Sequence, residues 1–296
     1  MKIARSILAT ALLALTLPLA ATAQQQVDSR HAVNPDAYVR IYMETDGVIR
    51  ISGWAKDSVA FSGSADEGLP GLEFSTAKEG KAAKGGIWTD KKGKGQVDLD
   101  IQVPAGATVW VKTTAASVEI ADVRGGVDVY TETGNVRFEG EPQQLYAESM
   151  GGEVSIEGNS SSIKAKTGKG PITFRGTADD VTLKTVGGRI LVNGPSLKRG
   201  YFESVTGDIV FDGALEPGSS VGFQTHSGRV EMTLPRDAGA DCLVTTIEGD
   251  LRVDFDVPEA LERDGAQGPE KEFTIGDGGA QVKIQTFDGA VAIRRR

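Results

Sequence analysis

A hydroxyl residue recurs along this chain at Thr113, Thr131, Ser149, Thr167, Thr185, Ser204, Thr225 and Thr246. Five residues after each stands an aliphatic side chain: Val118, Val136, Val154, Ile172, Ile190, Ile209, Val230 and Leu251. The steps between copies are 18, 18, 18, 18, 19, 21 and 21 residues. From the second copy on, a glycine lies two residues before the aliphatic, at Gly134, Gly152, Gly170, Gly188, Gly207, Gly228 and Gly249. Similarity at a short fixed period marks stacked units, each too small to bury its own apolar side. Such a unit is too short for a strand-helix-strand crossover, which takes about 30 residues. It is long enough for one turn built of two or three short strands.

The alternation within a unit shows how the turns stack. Val127, Val129 and Thr131 point one way, Gly134 marks a bend, and Val136 and Phe138 point inward. Stacking such units about 4.8 Å apart pairs the backbone groups and aligns like side chains in columns. Val136, Val154, Ile172, Ile190, Ile209, Val230 and Leu251 then form a continuous core column. Ile120, Phe138, Ile156, Phe174, Val192, Phe211, Met232 and Val253 fill out a second one. These β-branched and aromatic residues suit a pleated surface. The hydroxyl column falls where strand gives way to turn, placed to bond along itself or to cap the turn. The pattern predicts an all-β fold, a single-stranded right-handed β-solenoid (β-helix) with roughly 18–21 residue coils and an N-terminal β segment stacked on it.

Residues 1–23 read as a signal peptide: Lys2 and Arg5, an apolar run Ile7 to Leu19, then Ala21-Thr22-Ala23 before Gln24. That run is shorter than a bilayer span, so no integral membrane domain is expected after cleavage. Residues 24–37 are polar and read as a disordered lead-in, and residues 38–106 as an N-terminal β-strand region. Within it Tyr38 to Ser52 resembles a divergent first coil, Val59 to Phe61 and Leu72 to Phe74 read as short strands, and Val97 to Val103 as a half-buried strand ended by Pro104. Residues 107–296 hold the repeats, interrupted by a polar insertion at 258–280. After it the phrase returns as Val282 to Ile293, read as a last coil, and Arg294-Arg295-Arg296 reads as a guard on its open edge.

The Gly-x-Val-x-Val/Phe phrase, the leader, and the strand Val97 to Val103 running through Pro104-Ala105-Gly106 to Thr113-Thr114 resemble the DUF4097 family of bacterial β-strand repeat proteins, often labelled "putative adhesin". The resemblance covers about Tyr38 to Ile293. It implies an extracytoplasmic β-solenoid and carries over no catalytic residues. The long Pro258 to Ala280 insertion and the Lys-rich stretch before the repeats depart from the family pattern.

Removing the leader takes the net charge from -9 to -11, which disfavours nucleic acid as a partner, since phosphate binding needs clustered cations. The basic exception is Lys78 to Lys94, read as a loop or hairpin tip. Cys242 is the one cysteine, so no intrachain disulfide forms, and it reads as a buried filler. His31 and His226 have no second ligand at metal spacing. Among the acids, Glu139 and Glu157 share an offset in adjacent coils, the arrangement a carbohydrate-active β-helix enzyme would need if set against a cleft. No catalytic, cofactor-binding or metal-ligating residue is assigned. The expected function is that of a non-catalytic extracytoplasmic solenoid, structural or adhesin-like, whose partner is a cell-envelope protein or glycan. The alternative is a polysaccharide lyase or glycosidase with Trp88 or Trp110 as its aromatic platform. Function is expected off the regular coils, in Lys78 to Lys94 or in the insertion.

Overall fold

The structure is a computed structural model that describes residues 24–88, 95–194, 197–257, 261–265 and 268–296. Residues 1–23, read above as a signal peptide, and Lys91, Lys92 and Lys94 lie outside the described residues. All regular structure among the described residues is β, and 25 strands join in one hydrogen-bonded sheet. Among the described residues no helix is long and apolar enough to cross a membrane.

Each repeat unit contributes to two parallel ladders. The first ladder takes the strand that ends in the hydroxyl residue, as in Gly126–Thr131; the second takes the strand after the glycine, as in Val136–Gly140. Register pairs like with like: Thr131 lies opposite Thr113 and Ser149, and Val136 opposite Val118 and Val154. The first ladder has eleven parallel strands joined by ten pairings. At about 4.8 Å per layer the stack is about 48 Å tall.

The columns expected from the sequence are the core. Val136, Val154, Ile172, Ile190, Ile209 and Val230 are all at most 1% exposed. Phe202, Phe211 and Phe223 interlock at centroid distances of 5.3 to 6.2 Å. The hydroxyl column both bonds along itself and caps the turn. Thr113 Oγ1 donates to Thr131 Oγ1 at 3.0 Å, and Thr131 Oγ1 accepts the Gly134 N–H at 3.0 Å. The same N–H to hydroxyl bond recurs at Gly152, Gly188, Gly207, Gly228, Gly249 and Gly289.

Close approach explains the glycine in that turn. A Cβ on Gly170 would lie 1.9 Å from the carbonyl oxygen of Gly152, and one on Gly188 1.9 Å from that of Gly170. Each glycine seats on the peptide below it, and no other residue fits.

The stack is not in chain order at either end. The layer built from Tyr38–Met43 and Asp46–Trp54 lies between the Ala82–Ile87 and Gln96–Pro104 layer and the Thr108–Thr113 and Ser117–Ala121 layer. At the other end Ala280–Thr286 and Val291–Arg295 insert between Ser220–Thr225 with Val230–Leu234 and Ala240–Thr246 with Leu251–Val253. The glycines record the same order, because a Cβ on Gly289 would meet the Gly228 oxygen and one on Gly249 the Gly289 oxygen. The last coil in sequence is therefore an inner layer. Its arginines do not guard an edge: Arg294 pairs with Glu231 at 3.1 Å and Arg296 with Asp212.

Antiparallel strands cover the true ends. Glu73–Ala77 lies on Ala82–Ile87, and Ser58–Asp66 lies on Gln96–Pro104 with Gln24–Ala32 outside it. The polar lead-in is thus corrected from disorder to a nine-residue strand, stabilised by backbone pairing rather than by an apolar pattern. Within the insertion, Leu261–Gly265 and Gly268–Ile275 form a hairpin against Ala240–Thr246. Phe273-Thr274-Ile275 lies in the strand of this hairpin that pairs antiparallel with the end layer. Lys78 to Lys94 is likewise only partly a loop, since Ala82–Ile87 within it is a parallel strand. These reversed strands cover the parallel edges at both ends of the stack.

Candidate ligand-binding face

The outward faces of the two ladders carry opposite charge. The two central outward positions of each first-ladder strand hold seven cations (Arg40, Lys84, Lys112, Lys164, Lys166, Lys184 and Lys283) against Asp128, Glu148 and Glu203, a net of +4. The matching second-ladder positions hold five arginines against seven carboxylates, a net of -2. There four of the five arginines, Arg50, Arg137, Arg252 and Arg294, are paired with nearby carboxylates. Arg50 lies 2.5 Å from Asp98 and 3.7 Å from Asp100, Arg137 3.1 Å from Glu139, and Arg252 3.2 Å from Asp254.

On the first ladder, cations lie over aromatic rings. Five half-buried rings run in unbroken contact across neighbouring layers: Trp88 to Tyr42 at 6.0 Å, Tyr42 to Trp110 at 4.8 Å, Trp110 to Tyr130 at 5.7 Å and Tyr130 to Tyr146 at 5.2 Å. Trp110, Tyr130 and Tyr146 alternate between the two outward columns, and diagonal neighbours on a sheet are within reach of aromatic side chains. Lys84 Nζ stands 4.6 Å from the Trp88 ring centre and 5.0 Å from that of Tyr42, and Lys166 caps Tyr146 at 5.6 Å. Cation–π attraction of this kind is worth about 0.5–1 kcal/mol at exposed sites. Farther along, Lys184 covers Tyr201 at 4.9 Å and bonds Glu203 at 2.6 Å.

At the near end the strip opens into a cleft of about 630 Å³. Tyr38, Arg40 and Lys84 line it from the ladder, and Lys78 and Lys81 from the covering hairpin. Lys78 and Glu79 sit at φ 54° and 55°, in the left-handed region that lets the hairpin turn back over the face.

Partial burial shifts the acids and phenols of the strip in one direction. Desolvation raises the Asp128 carboxyl above its ordinary value. Desolvation, followed by the Asp128 and Glu148 charges, raises the Tyr130 phenol. Tyr146 rises furthest, through desolvation and then through its hydrogen bond to Glu148, which accepts the phenolic proton. Both phenols are neutral donors at any physiological pH, and Asp128 is a carboxylate for which this face is a poor solvent.

The residues singled out in the sequence are dispersed. Trp88 and Trp110 do belong to an aromatic platform, together with three tyrosines that sequence reasoning did not name. Glu139 and Glu157 are register partners on the opposite ladder, away from the rings, and Glu139 is paired with Arg137. His31 stacks on Phe74 at 4.0 Å and His226 on Phe287 at 4.9 Å. Cys242 is 1% exposed, and burial raises its thiol to about 12. Among the described residues no group of three potential ligands is placed to hold a metal. A second exposed feature was also missed. Met150, Val186, Val205, Ile247 and Phe287, each one residue after the hydroxyl, form an apolar edge 40 to 58% exposed.

Two solved structures align over nearly the whole chain. A Parabacteroides distasonis protein described as "putative lipid binding protein" shares 12% identity over 90% of this chain and 96% of its own, with a TM-score of 0.53. A Bacteroides fragilis "putative adhesin" shares 13% identity over 93% of this chain and 99% of its own, with a TM-score of 0.44. The first of these has the same fold. No curated protein matches the chain. The family model described as Toastrack DUF4097 matches residues 89–294, in line with the repeated glycine turns and their paired ladders, and the chain belongs to that family.

Proposed function

We propose that this chain is a non-catalytic, extracytoplasmic binding protein: a right-handed, single-stranded β-solenoid that holds a cell-envelope glycan along its first-ladder face. The observation that carries the reading is the run of five contacting rings from Trp88 to Tyr146 on a regular sheet face. Sugar rings present apolar C–H faces and polar rims. A row of half-exposed indoles and phenols offers stacking surfaces with O–H and N–H groups at their edges. The layer spacing of about 4.8 Å is close to the advance of one sugar along an extended chain.

The secretory leader supports an envelope location, and the opposite face, with its internally paired arginines, supports solubility. Hydrolysis or elimination would need two acids facing each other across a substrate. The pair singled out for that chemistry, Glu139 and Glu157, stands side by side on the other ladder. The test is glycan binding by the full chain and by the Trp110→Ala, Tyr130→Ala double variant, with Arg137→Gln as the control on the other ladder. A loss of binding of tenfold or more in the first, and less than twofold in the control, is expected. Equal binding by all three refutes the assignment of the face.

A further inference from the structure

Resting on that reading, we infer that the glycan is acidic, a uronic-acid-bearing polysaccharide whose rings stack on the Trp88 to Trp110 end of the strip while its carboxylates meet Arg40, Lys84 and Lys112. The argument begins with the charge contrast between the ladders. A chain of net charge -9 concentrates a net +4 on the one face that also carries the aromatic run. A solubilising surface would intersperse the two signs, as the second ladder does.

Lys184 is engaged with Glu203, but Arg40, Lys84 and Lys166 are held on rings. Lys84 and Lys166 approach ring faces, and Arg40 lies 5.1 Å from the Tyr38 ring centre. An ammonium over a ring keeps its outer protons free for a second acceptor, whereas Arg50 and Arg137 are already engaged with carboxylates. Arg40 and Lys84 are register partners at the mouth of the cleft, and Lys112 lies beside Tyr42 one layer on. Three cations thus flank the Trp88, Tyr42 and Trp110 rings within three successive layers. That is the arrangement wanted for a polymer with an apolar face and an anionic edge on each residue. Asp128 and Glu148 are the acids of the same columns that oppose such a ligand; they stand in the two layers beyond Lys112, and Glu148 already accepts the Tyr146 hydroxyl.

The experiment compares two probes that differ only in charge, a β-1,4-linked mannuronate hexamer and mannohexaose, titrated into the full chain at low and high salt. The expected result is that the mannuronate binds at least tenfold tighter at low salt, about 1.4 kcal/mol. The advantage should collapse near 1 M salt, where screening acts within about 3 Å. The Arg40→Gln, Lys84→Gln variant should bring the two probes within about threefold of each other with unchanged melting, since both side chains are solvent-exposed. Equal, salt-insensitive binding of both probes would overturn the acidic assignment and leave the glycan face standing. Binding of neither probe would overturn both. Mannuronate binding that survives the double variant would remove the site from this face, and tighter binding of an oligothymidylate would replace the glycan with a nucleic acid.

Discussion

Replacing Gly188 by alanine probes the stacking that everything else depends on. A methyl group there would lie 1.9 Å from the carbonyl oxygen of Gly170 and 3.0 Å from the nitrogen of Pro171, both backbone atoms of the adjacent layer. Neither can rotate away as a side chain would, so the layers must separate locally. The Gly188 N–H bond to Thr185 Oγ1, 3.0 Å long, is strained with them. Overpacking of this kind costs about 1–3 kcal/mol. At ~2 kcal/mol, and ~2–4 °C per kcal/mol for a domain of about this size, Tm falls by about 4–8 °C. Scanning calorimetry of the purified chain reads this directly. Gly68→Ala is the comparison, because nothing lies within 4 Å of a Cβ built there; it should stay within about 0.5 kcal/mol of wild type. Wild-type melting of Gly188→Ala would refute the claim that adjacent layers touch at the glycines. An equal loss in Gly68→Ala would mean that backbone freedom, not contact, sets the cost.

Four further outcomes are expected. Phe211→Ala, which removes a ring packed on Phe202 and Phe223, should cost about 3–5 kcal/mol in denaturant unfolding, and a change below 1 kcal/mol would show that the three rings are not tightly packed. Cysteines placed at Gln224 and Gln285, which are register partners, should oxidise to a disulfide seen as a gel shift; cross-linking of 224 to a cysteine at position 245 instead would restore chain order to the stack. Because burial raises the Cys242 thiol from an ordinary 9.0 to about 12, the unfolded chain loses this proton first. Stability should therefore fall as pH rises between those values, and fall less in Cys242→Ala, while the native thiol resists disulfide reagents at pH 8. Finally, Asp128→Asn should tighten mannuronate binding a few-fold by removing the opposing charge; weaker binding would mean that Asp128 touches the ligand as an acceptor.

The repeats were legible because one physical requirement, the near contact of successive turns, writes the same glycine and hydroxyl into each layer from Thr131 to Thr246. Val136 and Phe138 could be placed in the core from a period alone, and the structure has them there. Stacking order was not legible. Val230 and Leu251 are 21 residues apart, as are Ile209 and Val230, yet Val291 lies between the former pair. Like units pair equally well with any neighbour, so the period is silent about which unit is next. The ring strip was hidden for the same reason. Trp88 and Trp110 are connected through Tyr42 only because the Tyr38–Met43 strand inserts between their layers. A reader counting outward columns in the assumed order would see isolated aromatics. The lead-in strand Gln24–Ala32 was missed because its half-buried face is Gln25, Val27, Ser29 and His31, mostly polar residues that show no apolar alternation.

A crystal structure of the full chain with a bound mannuronate hexamer tests the account most directly. Sugar density stacked on Tyr42 and Trp110, with carboxylates turned toward Arg40, Lys84 or Lys112, is the result predicted. Density on the second ladder, along the Met150 to Phe287 edge, or nowhere on a protein that binds the hexamer in solution would contradict it.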